Sequence, residues 1–413
     1  MNYKLFLIAF LFLQTIFCQS NKVKIATGAD LLLSENIDLV EGQNLGIITN
    51  HTALLSNGTH LIDALYNSEF RIKIVALFGP EHGIRGQAKA GEVIENGIDQ
   101  TTQAPIYSLY GKNKKPTKEM LKDVKVLVFD MQDVGARFYT YISTLYYSMQ
   151  AAAENNIPIV VLDRPNPIGG NYVDGPIRKD SLNSFVGIAP IPIAHGMTFG
   201  ELANYFNNEN LLGNNLHAKL EVLKMTKWQR NYFYDDLSLS WIKPSPNITD
   251  LQTALVYPGT CLIEGTNISE GRGTTLPFLT IGAPIINAKQ LVNALQKFKF
   301  KGLTFAATTF TPHDIPNVAE NPKYKGKICN GIEIEVTDKN KVESVKFGIA
   351  LLYTLHKLYP NKFTFKNKSF DLLSGDSKIR EQLLRNVKPD KIFKSYQKEL
   401  SKFKEIRKKY LLY

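Results

Sequence analysis

The chain has 413 residues, 44% of them hydrophobic, which suits two domains with well-filled cores. Its formal net charge of +11 favours an anionic partner, yet no nucleic-acid-binding motif is present, so an anionic cell-envelope polymer fits better. Three cysteines without C-x-x-C spacing exclude a disulfide framework and a cysteine metal site.

Lys4 is followed by the apolar run Leu5–Phe17 and a polar Gln19-Ser20. The run is too short to span a bilayer and reads as the core of a secretory signal over residues 1–20. Bulky Phe17 stands before Cys18 where lipidation needs a small residue, so anchoring through Cys18 is disfavoured. No other segment approaches the ~18 uninterrupted apolar residues of a membrane span. An exported, soluble protein is expected, periplasmic or extracellular.

Strands are expected at Leu45–Thr49, Ile72–Phe78, Lys125–Asp130 and Ile157–Asp163. Between them lie a short amphipathic helix (Thr59–Tyr66), a capped helix start (Thr117–Lys122) and a helix within Phe138–Asn155. Near-continuous apolar strands alternating with helices argue for an α/β fold: a Rossmann-like parallel sheet over residues 21–250. In such sheets ligands sit outside the carboxyl ends of the strands. Each strand delivers polar residues there. Strand one gives Asn50 and His51, and strand two gives Glu81, His82 and Arg85 in a Gly/Pro-punctuated turn. Strand three gives Asp130, Gln132, Asp133 and Arg137; strand four gives Asp163, Arg164 and Asn166. Four ionisable loops on one rim point to a functional edge. No strand is followed by a dinucleotide or P-loop fingerprint. Thr198 and Glu201 form a capping box for a helix through Phe206, and His195 lies just before it, either facing the rim or satisfied within its loop.

Residues 241–284 show little periodicity but are too rich in Trp, Tyr, Cys, Leu and Ile for disorder, so they read as an ordered crossover. Its second half carries Glu264, Glu270 and Arg272. A second, smaller α+β domain is expected over 251–413, with residues 251–284 contributing to the cleft. It should contain a helix (Ala288–Phe298), strands (Leu303–Phe310 and Gly331–Val336), a long helix (Val342–Leu358) and a basic helix (Lys391–Tyr410) whose lysines form a solvated face. One bridge between Cys261 and Cys329 is compatible with an oxidising compartment.

Glycoside hydrolysis needs two carboxyl groups, about 5–5.5 Å apart for retention and about 6.5–9.5 Å for inversion. Glu81 is one candidate, and Glu270 or Glu264 the other. Spacing alone leaves two alternatives open: a non-catalytic glycan-binding protein, and a metal-dependent hydrolase using His51, His82, His195 and aspartates. The second lacks any helical metal motif.

Long runs sharpen this reading: GPEHGIRG (79–86), VFDMQDVGARFYTYISTL (128–145), VLDRPNPIGG (161–170), PIAHGMTFGEL (192–202), PSPN (244–247), LVYPGTCLIEGTNISEGRGTT (255–275) and CNGIEIEVTD (329–338). Together they resemble the NamZ-type exo-β-N-acetylmuramidases. The resemblance implies a bacterial cell-wall recycling enzyme that releases terminal N-acetylmuramic acid (MurNAc) from the non-reducing end of peptidoglycan fragments such as MurNAc-GlcNAc. It implies a Rossmann-like catalytic domain joined to a smaller C-terminal one, with no cofactor or metal ion. By position it puts Glu81, His82, Glu264 and Glu270 in the cleft, lined by Asp130, Asp133, Arg137, Arg164, Asn166 and His195. Glu81 is expected as the general acid and Glu270 as the second carboxylate, with Glu264 in reserve. Arg85, Arg137, Arg164 or Arg272 would clamp the lactyl carboxylate of the sugar.

Overall fold

The computed structural model describes residues 22–81, 83–85 and 97–413; the expected export signal and His82 lie outside them. Strands β1 (Asn44–Thr49), β2 (Lys73–Gly79), β3 (Gly97–Ile98), β4 (Pro105–Ser108), β5 (Val126–Asp130), β6 (Ile159–Leu162) and β7 (Leu220–Leu223) form one sheet in the order β3-β4-β2-β1-β5-β6-β7. Every neighbouring pair is parallel except β3 with β4. The physical reason is visible in β5. Val126 and Val128 pack into one apolar cluster and Leu127 and Phe129 into another, so both faces are covered along these four positions. Helices α1 (Gly28–Ser34), α2 (Leu61–Tyr66), α3 (Tyr141–Glu154) and α4 (Phe199–Asn208) accompany the sheet, and α4 opens with the expected Thr198–Glu201 capping box.

After residue 250 come α5 (Leu251–Thr260), β8 (Thr280–Ala283), α6 (Ala288–Gln296), β9 (Leu303–Phe310), β10 (Cys329–Val336) and α7 (Ser344–Leu358). The three strands form a separate antiparallel sheet in the order β8-β10-β9. Helices α8 (Asn367–Ser374), α9 (Ser377–Leu384) and α10 (Pro389–Arg407) close the chain, and residues 411–413 return to the first sheet. There Tyr413 donates its hydroxyl proton to Asp163 Oδ2 at 2.8 Å and accepts from the Met225 amide at 2.8 Å. No helix among the described residues is long and apolar enough to cross a membrane.

Three expectations are corrected. Residues 117–122 form turns, not a helix. Thr117 does cap, accepting from Met120 N at 3.4 Å, but the chain continues in turns and reaches β5 at Val126. The aperiodic crossover contains α5 followed by a 3-10 turn (Cys261–Gly265); Pro258 and Gly259 inside it masked the helical pattern. Cys261 and Cys329 are both buried and unpaired, so no bridge joins them.

Candidate active site

Chain order reverses across β1, whose neighbours are β2 on one side and β5 on the other. That reversal opens a crevice at the carboxyl ends of these strands, where an open α/β sheet binds its ligand. A pocket of 220 Å³ lies at this end. One wall comes from the first sheet: Glu81, just beyond β2, then Tyr110, and Phe138–Tyr141 leading into α3. Thr140 Oγ1 donates to Glu81 Oε2 at 3.3 Å. Burial, with the Glu81 carboxylate beside it, pushes the Tyr110 hydroxyl up to about 12, so it serves Glu81 as a proton donor in a hydrogen bond rather than as an acid. Tyr139 and Tyr141 meet edge to face at 4.7 Å, and Tyr141 fixes the opposite loop by donating to Pro244 O at 2.8 Å.

The rest of the lining comes from Ser245 and Asn247, Tyr257 on α5, and Cys261, Glu264 and Arg272 beyond it. Asn247 donates through Nδ2 to Val318 O at 2.9 Å, which turns its Oδ1 the other way, where it has no partner among the described residues. Arg272 grips Glu264 Oε1 through Nε at 2.9 Å and Nη2 at 2.8 Å, with its guanidinium over the Phe278 ring at 5.1 Å. Burial works against the charge on Arg272, but Glu264 and Glu270 outweigh it and hold the group cationic. Among the described residues lining the pocket, Arg272 is the sole arginine or lysine.

Of the residues expected at the site, the pocket therefore gathers Glu81, Glu264 and Arg272. Glu270 is adjacent but recessed. It is 4% exposed, with Oε2 2.9 Å from Lys323 Nζ and Oε1 3.8 Å from Arg272 Nε, and it does not line the pocket.

The remaining expected residues do not line this pocket, and most of them hold hydrogen bonds within the fold. Arg85 forms a bidentate pair with Asp63 at 3.0 and 2.9 Å and reaches Asp99 at 3.2 Å. Arg164 and Asp130 neutralise each other in a buried fork, Nε–Oδ1 2.5 Å and Nη2–Oδ2 2.8 Å. Arg137 donates to the carbonyls of Pro176, Ile191 and Leu373 at 2.7–2.9 Å. Burial and the neighbouring Arg178 pull its guanidinium down to about 9, still charged at neutral pH. His195 is fully buried. Its Nδ1 accepts from Met197 N at 3.1 Å, while Nε2 stands 3.2 Å from Asp133 Oδ2 outside hydrogen-bond geometry. Asn166 holds an internal turn through Ile168 N and Met197 O. Asn50 likewise accepts from Thr52, and His51 is tied to Lys243 O at 2.9 Å.

A second pocket of 270 Å³ includes Arg230 and Lys339, but these are committed to Glu201 and to Asp235 and Asp236. It offers no charge to a ligand. Among the described residues no group of three or more His, Cys, Asp or Glu is arranged to hold a metal ion. Sequence reasoning did not single out Tyr110, Tyr139, Asn247, Tyr257 or Lys323. Tyr139 lay in a stretch read as a helix face, and Asn247 within the PSPN run; Lys323 stands in a loop with no motif.

Residues 45–252 match the family described as exo-beta-N-acetylmuramidase NamZ, N-terminal, and residues 255–413 match its C-terminal counterpart. The chain is 48% identical over 395 residues to a peptidoglycan beta-N-acetylmuramidase NamZ of Bacillus subtilis strain 168, covering 95% of this chain and 92% of that protein. Two crystal structures of DUF1343 family proteins from Bacteroides fragilis NCTC 9343 share the fold. One is 35% identical with a TM-score of 0.87, covering 95% of this chain and 100% of the other. The second is 33% identical with a TM-score of 0.77, covering 95% and 99%. With both halves matched in order and a site at the sheet edge between them, the chain belongs to the NamZ exo-beta-N-acetylmuramidase family.

Proposed function

We propose that this protein is an exo-acting glycoside hydrolase that releases N-acetylmuramic acid from the non-reducing end of peptidoglycan fragments. One observation carries the site assignment: Glu81 and Glu264 line a single pocket that also holds Arg272. Glu81, hydrogen-bonded to Thr140 and Tyr110, is the general acid that protonates the departing sugar oxygen. Glu264 is the opposing carboxylate, and Glu270 a supporting charge behind it. Arg272 is the group to meet the lactyl carboxylate alongside its pairing with Glu264, since among the described residues it is the sole arginine or lysine lining the pocket. The aromatic rings of Tyr139, Tyr141 and Tyr257 supply an apolar surface for the sugar ring. The apolar run Leu5–Phe17 supports export, so the substrate is met outside the cytoplasm.

The deciding experiment is turnover of a chromogenic N-acetylmuramic acid glycoside. The wild type should release the chromophore; binding without turnover would identify a glycan-binding protein instead.

A further inference from the structure

We infer that Lys323 is a positioning residue for this site: it neutralises Glu270 and thereby reserves Arg272 for Glu264. The inference rests on the reading of Glu264 and Arg272 given above.

Lys323 lies in the long connection between β9 and β10 and does not line the pocket. Its ammonium sits among four oxygens: Ile263 O at 3.2 Å, Glu264 O at 3.2 Å, Ile268 O at 2.9 Å and Glu270 Oε2 at 2.9 Å. Two of these are terminal carbonyls of the helical run that begins at α5 and ends in the 3-10 turn Cys261–Gly265. Ile263 O also accepts from Thr266 N at 2.9 Å, and both carbonyls lie at the negative end of the helix dipole, where a cation is favoured. The chain then doubles back and aims Ile268 O and the Glu270 carboxylate at the same ammonium. Lys323 thus fixes both ends of the turn that presents Glu264 and Glu270. Its neighbour Tyr324 secures the middle, donating to Asn267 O at 2.6 Å.

The functional consequence lies in how charge is shared. Arg272 has two carboxylates within reach, Glu264 at 2.8–2.9 Å and Glu270 at 3.8 Å. Glu270 is the more deeply buried, and a buried carboxylate left without a cation is strongly disfavoured. Remove the ammonium and Arg272 is the nearest replacement; turning to Glu270, it releases Glu264 and leaves the pocket wall. With Lys323 in place, the division is stable: lysine on the recessed carboxylate, arginine on the one that faces the sugar. A lysine suits this position because its three donors point outward from one atom, matching a cluster of oxygens rather than a planar fork.

The test is a double-mutant cycle on the full chain, with Lys323→Met, Glu270→Gln and the pair combined, read as kcat and KM on the N-acetylmuramic acid glycoside with thermal melts alongside. Lys323→Met should lower kcat/KM by about 10²-fold. Adding Glu270→Gln removes the charge that draws Arg272 away, so the double variant should regain at least tenfold. A Lys323→Met enzyme within threefold of wild type would overturn the inference, as would a double variant no more active than Lys323→Met alone. Should Lys323→Met fail to fold, the comparison of Glu270→Gln with the double variant decides. In the Glu270→Gln background, adding Lys323→Met should cost less than threefold in kcat/KM, and a larger loss would overturn the inference. Absence of turnover in the wild type would count against the glycosidase reading itself, a separate result.

Discussion

Gly259 and Gly348 meet where α5 crosses α7. A Cβ on Gly348 would stand 2.4 Å from Gly259 O, and one on Gly259 would stand 1.8 Å from Ser344 O. No real side chain fits at either distance, so the crossing exists only because both residues lack one. The contact also sets the height of Tyr257 and Cys261, which line the pocket from α5 and the turn beyond it. Gly259→Ala should therefore destabilise the protein by about 3 kcal/mol and lower activity together with it. Urea denaturation measures the first. Gly97→Ala is the control, since a Cβ there meets nothing within 4 Å.

Glu81→Gln preserves size and the hydrogen bond from Thr140 but removes the titrating group. Its kcat should fall by about 10²-fold or more with KM little changed. A folded variant with normal turnover would remove Glu81 from the chemistry.

Charge recognition can be read by comparing sugars. A glycoside of N-acetylglucosamine lacks the lactyl ether and should lose on the order of 3–5 kcal/mol of transition-state stabilisation against the muramic acid substrate. Arg272→Met should erase most of that preference, whereas Arg85→Met, which breaks a pair with Asp63, should leave it intact. Unchanged discrimination in Arg272→Met would move the carboxylate elsewhere.

A fourth expectation concerns acid stability. His60 caps α2: its Nδ1 accepts from Ile62 N at 3.2 Å while Nε2 donates to Asn50 O at 2.9 Å. Burial, opposed in part by that bond to Asn50, lowers its pKa from the ordinary 6.5, and His51 is lowered by burial too. The unfolded chain takes up protons near pH 6.5 that the folded chain resists, so ν is greater in the unfolded state there. The stabilisation is complete above pH 6.5 and is lost progressively below it. His60→Asn keeps a good cap without the titration. Its melting temperature should fall less than that of wild type between about pH 7 and pH 5. Parallel curves would show that His60 does not contribute to the pH dependence.

Much of the sheet is legible because its residues answer to local rules. Val126–Phe129 is apolar at every position, as a strand covered on both faces must be, and Thr198 with Glu201 closes the box that starts α4. The site is less legible because its residue types are common and their partners are distant. Arg85 sits in a turn that looks functional, but Asp63, which consumes it, is on another helix. Asp130 and Arg164 each read as a rim charge; only the parallel pairing through β5 and β6 shows that they cancel. Lys323 carries no motif at all, since a crown of carbonyls from a segment some 55–60 residues away leaves no trace in its own neighbourhood.

Arg137 gives the cleft its mechanical character. Its guanidinium spans from the segment after β5 to Leu373 O on α8, and its other two bonds go to Pro176 O and Ile191 O in its own half. Parting the two halves would give up the bond to Leu373 O, a charge-assisted hydrogen bond worth about 1.5–3 kcal/mol. That bond ties the segment leading into α3, whose Thr140 and Tyr141 line the pocket, to Leu373, which lines it from the second half of the chain.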